Sequence, residues 1–129
     1  EEVSATDTIE ISGMGNTMAE IKFSKDRISV APKTMVTIAL TNKSTNASMP
    51  HNFVVIEKGK ANDVGQAGVM NADNGYVKPN DINVIAHTAV ANIGETVYLT
   101  FETPAAGEYE FICSYPGHWS LMKGDFIVE

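Results

Sequence analysis

Along most of this chain apolar and polar residues alternate at every step, in short runs that end on glycine, proline, asparagine or aspartate. A period of two sends successive side chains to opposite faces, so each run reads as a strand with one buried and one wet face. Thr8 to Ser12 places Ile9 and Ile11 together, and the pattern returns at Ile21 with Phe23 and at Ile28 with Val30. Met35 to Thr41 puts Val36, Ile38 and Leu40 on one face and threonines on the other. Thr96 to Thr103 turns Val97, Leu99 and Phe101 inward. Glu108 to Cys113 does the same with Tyr109, Phe111 and Cys113, and Phe126 with Val128 closes the chain. Asn52 to Ile56 is more continuously apolar instead, as in a strand buried on both sides. Many short strands separated by turn residues predict an all-β sandwich or barrel.

One stretch breaks the pattern. Lys58 to Asp81 holds glycines, small residues and no alternation. It is expected to lie as a flap across the β domain, and could hold a short helix near Asn62 to Ala72, weakened by Gly65 and Gly68. With no linker or repeat, residues 1–129 are expected to form a single domain, which suits the length.

Charge narrows the partners. Nine Lys and Arg against sixteen Asp and Glu leave a formal charge of −7, which argues against nucleic acid and permits a basic protein. No run approaches the roughly 20 apolar residues of a membrane span. Glu1-Glu2-Val3-Ser4 lacks the basic start and apolar stretch of a leader, so the chain is either cytosolic or a mature form after removal of one. The acidic start, Glu1 to Asp7, could be the remnant of a membrane tether.

The chemistry concentrates in Cys113-Ser114-Tyr115-Pro116-Gly117-His118-Trp119-Ser120-Leu121-Met122. A thiol, an imidazole and a thioether share one loop between two expected strands, and Pro116 with Gly117 can turn it so that all three face one centre. A second imidazole, His51, precedes the doubly buried strand. Cys113 is the only cysteine, so no internal disulfide and no four-cysteine zinc site can form. Thiolate and thioether are soft donors, and two His and one Cys with a weak axial Met define a blue-copper electron-transfer centre, whereas structural zinc would use more cysteines. Taken singly, a buried Cys or Met is ordinary core packing; their grouping with two histidines is what points to copper. A Cys113–His118 nucleophile–base pair is the competing reading, and it leaves Met122 without a role and lacks an orienting group. His87 stands outside the cluster by spacing and is expected to be a surface or satisfied histidine.

Cys113 to Met122 resembles the Cys-x4-His-x3-Met loop of the azurin and auracyanin group of cupredoxins. The resemblance extends through Thr103 to Tyr109, His51-Asn52-Phe53, Leu121 to Gly124, Tyr76 to Asp81 and Val84 to Thr88. Plastocyanin-like loops have a shorter Cys-to-His spacing. The resemblance implies a Greek-key β-sandwich, the cupredoxin fold, with one copper ion at one end. His51, Cys113 and His118 match the equatorial ligands and Met122 the axial one. Asn52 matches the residue that ties the two ligand loops together, through Ser114, and the N–H groups of Asn52 and Tyr115 would donate to the Cys113 sulfur. Pro50 departs from the glycine that azurins keep there; the azurin disulfide cannot form, and with the Ala105-Ala106-Gly107-Glu108-Tyr109 segment this makes the auracyanins the nearer match.

The resemblance further implies a carrier of single electrons, outside the cytoplasm, in a photosynthetic or respiratory chain. Its partners would be redox proteins such as a c-type cytochrome, a membrane quinol-oxidising complex or a photosynthetic reaction centre. No Asp, Glu, Lys or Arg occurs from Ser44 through Ile56 or from Phe111 through Met122. Charge depletion of that kind suits the centre of an interface, so Pro50, Pro116 and Trp119 around His118 are the expected docking patch. A copper enzyme would need further histidines beyond His87, and a copper chaperone or store would be expected to group its methionines, whereas Met14, Met18, Met35, Met49 and Met70 are scattered.

Overall fold

A computed structural model describes residues 8–129; the acidic segment 1–7, with its suggested tether, lies outside the described residues. Among the described residues nine strands form two layers: β1 (Thr8–Met14), β2 (Lys22–Phe23), β3 (Arg27–Val30), β4 (Met35–Asn42), β5 (Val54–Glu57), β6 (Val84–His87), β7 (Thr96–Glu102), β8 (Gly107–Ile112) and β9 (Lys123–Val128). One sheet has the order β2-β1-β4-β7 and the other β3-β9-β8-β5-β6. The β1–β4 and β3–β9 pairs are parallel and the remaining pairs antiparallel. The chain changes layer between β2 and β3, β3 and β4, β4 and β5, β6 and β7, and β7 and β8. This is the Greek-key sandwich that the family resemblance implies.

The alternating runs behave as period two requires. Val36, Ile38 and Leu40 of β4 are fully buried. On the opposite face Thr37 meets Thr100 at 2.8 Å and Thr41 meets Thr96 at 2.7 Å, hydroxyl pairs that hold β4 against β7. Between the sheets Phe23, Phe53 and Phe111 form a three-ring cluster, with Phe53 and Phe111 stacked at 5.0 Å and Phe23 edge-on to both.

The doubly buried strand has a specific cause. Phe53 and Val55 point into the core between the sheets, while Val54 and Ile56 join Val64, Val77 and Ile112 in a second cluster outside. Val64 belongs to helix α1 (Ala61–Val69), which covers that outer face of the sheet. The flap between β5 and β6 thus carries a helix, shorter at its C-terminal end than the expected 62–72. The side chain of Asn71 donates to the Ala67 carbonyl at 2.8 Å and so satisfies an end carbonyl of the helix. A separate 3-10 turn follows at Ala72–Asn74.

Candidate metal centre

The site lies at one end of the sandwich, where two ligand-bearing segments meet. His51 sits two residues before Phe53, and its backbone pairs with Ala91 through His51 N–H to Ala91 O at 3.1 Å and Ala91 N–H to His51 O at 2.7 Å. Asn42, at the end of β4, fastens this segment from beneath: its side-chain amide donates to the carbonyls of Met49 at 2.8 Å and Ala91 at 3.0 Å. Cys113 leaves β8 directly and Met122 enters β9 directly, joined by Cys113 N–H to Met122 O at 3.0 Å. Inside the loop, His118 N–H donates to Tyr115 O and Met122 N–H to His118 O, both at 2.9 Å, and Gly117 supplies the left-handed φ of 86° that the reversal needs.

These connections bring His51, Cys113 and His118 together, with one donor atom from each inside 4.8 Å of the others. Cys113 Sγ lies 4.0 Å from His51 Nδ1 and 3.6 Å from His118 Nδ1. A metal about 2.3 Å from sulfur and about 2.0 Å from nitrogen would set them about 3.7 Å apart at a trigonal angle and about 3.5 Å apart at a tetrahedral one. The observed separations of 3.6 and 4.0 Å lie within a few tenths of an ångström of both values, so the three donors stand within reach of one metal ion. Met122 is fully buried in the same apolar cluster as Cys113. The donor set therefore fits copper: two imidazoles and a thiol within reach of one ion, with Met122 joined to Cys113 through the backbone and buried in the same cluster.

Burial sets the protonation of the metal-free site. It pushes the Cys113 thiol up to about 12, against the opposing pull of the Asn52 and Tyr115 backbone N–H groups. It pushes the imidazoles of His51 and His118 down to about 4, helped at His51 by the charge His118 would carry. Without a cation the site thus holds neutral rings and a protonated thiol, and metal entry must expel the thiol proton.

Asn52 binds the two segments to each other. Its backbone N–H donates to Cys113 Sγ at 3.4 Å, its side-chain amide to Ser114 Oγ at 2.9 Å, and Ser114 N–H donates back to its side-chain Oδ1 at 2.7 Å. Tyr115 tilts against the His118 ring with centroids 4.9 Å apart. His87 is half-buried and satisfied at Nδ1 by the Thr88 carbonyl at 3.0 Å.

The three residues named for docking are placed differently from one another. Pro116 is half-buried on the loop, while Pro50 is buried beside an open cleft it lines with Tyr76, His87 and Tyr115. Trp119 is half-buried and packs on the cluster beneath α1, with Gly65 of the helix pressed so close to the indole that a Cβ there would overlap it.

Several contributors escaped the sequence reading. Gly13 of β1 lies under His51, where a Cβ would fall 2.6 Å from the ring Cδ2. Asn42 and Ala91 escaped as well. None of these carries metal-binding chemistry, so no motif could have flagged them; only the tertiary approach of β1, β4 and the segment around Ala91 gives them a role.

A fully buried thiol within 4.0 Å of two imidazoles, with Met122 buried in the same cluster, defines the class: a type 1 copper centre on a β-sandwich. The comparisons agree. Residues 9–129 match the model for copper binding proteins of the plastocyanin/azurin family. The chain is 38% identical over 125 residues to auracyanin-A of Chloroflexus aurantiacus, covering 95% of this chain and 74% of that protein. It is 46% identical over 88 residues to azurin of Alcaligenes faecalis, covering 65% and 69%. The solved structure of the azurin Az-iso2 from Methylomonas sp. strain J superposes with a TM-score of 0.84 at 32% identity, covering 97% of this chain and 99% of that one. The chain belongs to the plastocyanin/azurin family of copper-binding proteins, and it is a type 1 copper electron-transfer protein.

Proposed function

We propose that the protein is a one-electron carrier and not an enzyme, working outside the cytoplasm between membrane-bound and soluble redox proteins. The observation that carries this is the burial of the whole donor set: His51, Cys113 and Met122 are fully buried and His118 is 1% exposed. Such a site gives a substrate no open coordination position, whereas an electron needs only a short path through the protein. Bound copper supplies the Cu(I)/Cu(II) couple. The chain does the rest: the packed sandwich holds His51, Cys113 and His118 in one geometry, Asn52 N–H stabilises the sulfur, and the apolar surroundings exclude water.

The face over His118 is the proposed docking surface. Leu121 is 50% exposed and Met18 45%, and Met18 Cε stands 3.0 Å from where a Gly117 Cβ would be, so an apolar rim surrounds the loop with Pro116. The neutral segments 44–56 and 111–122 meet at this end of the molecule. The partners proposed are a c-type cytochrome on one side and a quinol-oxidising complex or photosynthetic reaction centre on the other. No described helix is long and apolar enough to cross a membrane.

The test combines copper loading with transfer kinetics. One copper per chain and an intense thiolate-to-Cu(II) band are expected, with Cys113→Ser abolishing the colour. Stopped-flow reduction by a c-type cytochrome should slow several-fold in Leu121→Asp while the band is unchanged. A colourless wild type would overturn the copper reading, and an unaffected rate would move the docking face.

A further inference from the structure

We propose that the flap turn Gly75–Tyr76 is a positioning element of the metal centre, holding the Cys113 loop through Ser114 and Asn52 and backed by Gly68 of α1. This rests on the reading of His51, Cys113 and His118 as copper ligands. Gly75 and Tyr76 both adopt left-handed backbone conformations, with φ of 66° and 65°. A tyrosine there is strained, and such strain persists only where the surroundings over-determine it. The consequence is visible in the hydrogen bonds. The Gly75 carbonyl accepts from the Asn52 side-chain amide at 2.9 Å, and the Tyr76 carbonyl accepts from the Ser114 hydroxyl at 2.7 Å.

Every proton of this buried group is then assigned. Asn52 uses one amide hydrogen for Gly75 and the other for Ser114 Oγ, and Ser114 passes its own hydroxyl hydrogen to Tyr76. Asn52 and Ser114 are both fully buried, so withdrawing either flap carbonyl leaves a buried donor without its partner. The opposite side of the Tyr76 carbonyl is closed by Gly68, where an added Cβ would overlap the carbonyl oxygen. A second contact reinforces the first, because the Tyr76 ring meets Tyr115 edge-on at 4.9 Å. The flap thereby sets the orientation of Asn52, whose N–H reaches Cys113 Sγ. The glycines that weaken α1 as a helix are what allow it to close on this turn and on Trp119.

The decisive variant is Gly68→Ala, measured by amide hydrogen exchange of the metal-free protein and by voltammetry of the copper form. The Ser114 amide, which donates to Asn52, should exchange roughly tenfold faster or more, the loss expected when one buried hydrogen bond opens. The reduction potential should fall, because a weaker hydrogen bond to sulfur favours Cu(II). Gln66→Gly, at an exposed position of the same helix, weakens the helix without touching the turn and should change neither readout. Should Gly68→Ala fail to fold, Ser114→Ala reads the coupling from the other end, by faster exchange of the Tyr76 amide, with Ser114→Thr restoring it. Unchanged exchange and potential in Gly68→Ala, or equal effects from Gln66→Gly, overturn the inference. A colourless wild type would instead fall on the copper reading, since the exchange measurement is made without metal.

Discussion

Lowering the pH should destabilise the metal-free protein, because the fold buries two imidazoles in their neutral form. His51 and His118 are held at about 4 in the folded state against an ordinary 6.5. Their folded pKa values are depressed, so the stability they contribute is complete above pH 6.5 and is lost as pH falls towards 4. A shift from 6.5 to about 4 corresponds to roughly 2 kcal/mol lost per ring by pH 5 and roughly 3 kcal/mol below pH 4. The pair therefore removes about 4 kcal/mol by pH 5, a large part of the 5–15 kcal/mol typical of a domain. Urea unfolding followed at several pH values between 8 and 5 in a metal chelator gives the slope directly. Subtracting the slope of a His51→Leu/His118→Leu double variant removes the background from other groups. A wild-type stability that stays constant within about 1 kcal/mol over that range would refute the neutral burial of the rings. Copper occupying both Nδ1 atoms should move the loss to lower pH. Cys113 acts at the other end, since its folded pKa is raised from 9.0 to about 12: its contribution is complete below pH 9 and fades as pH approaches 12.

Three further outcomes are expected. Gly13→Ala should perturb the centre without altering any ligand, because the new methyl meets the His51 ring at 2.6 Å; a shifted blue band and about 1–3 kcal/mol of lost stability would show it by spectrum and melting curve. Met122→Leu should leave a blue protein with a higher reduction potential by voltammetry, since the axial donor that helps stabilise Cu(II) is gone. Trp119→Asp should lower the melting temperature as well as slow electron exchange, because the indole packs against Gly65 and the apolar side chains beneath α1; a slowed rate at unchanged stability would make Trp119 a docking residue alone.

The fold was legible where the pattern was local. Alternation in Met35 to Thr41 or Glu108 to Cys113 reports directly on which face of a strand is buried, and the structure follows it. Continuous apolarity in Val54 to Ile56 announced two-sided burial but not its cause, since nothing in that strand names the helix that covers it. The short helix expected near 62–72 is present as α1, and it stops at Val69 because the Asn71 side chain intercepts the Ala67 carbonyl, a detail that helix propensity does not carry.

For the site, chemistry and geometry divide along the same line. Sequence alone named the candidate donors, because Cys113, His118 and Met122 share one ten-residue loop that can turn them to a common centre, because His51 precedes a buried strand, and because the loop spacing resembles that of a known copper family. The tertiary structure decided everything that depends on residues distant in the chain: the 3.6 and 4.0 Å separations, the buried thiol and imidazoles, the glycine beneath His51, and the flap carbonyls that hold Asn52 and Ser114. The physical reason is that a ligand's identity is a property of its own side chain, whereas its angle, desolvation and hydrogen bonds belong to whatever the fold packs around it.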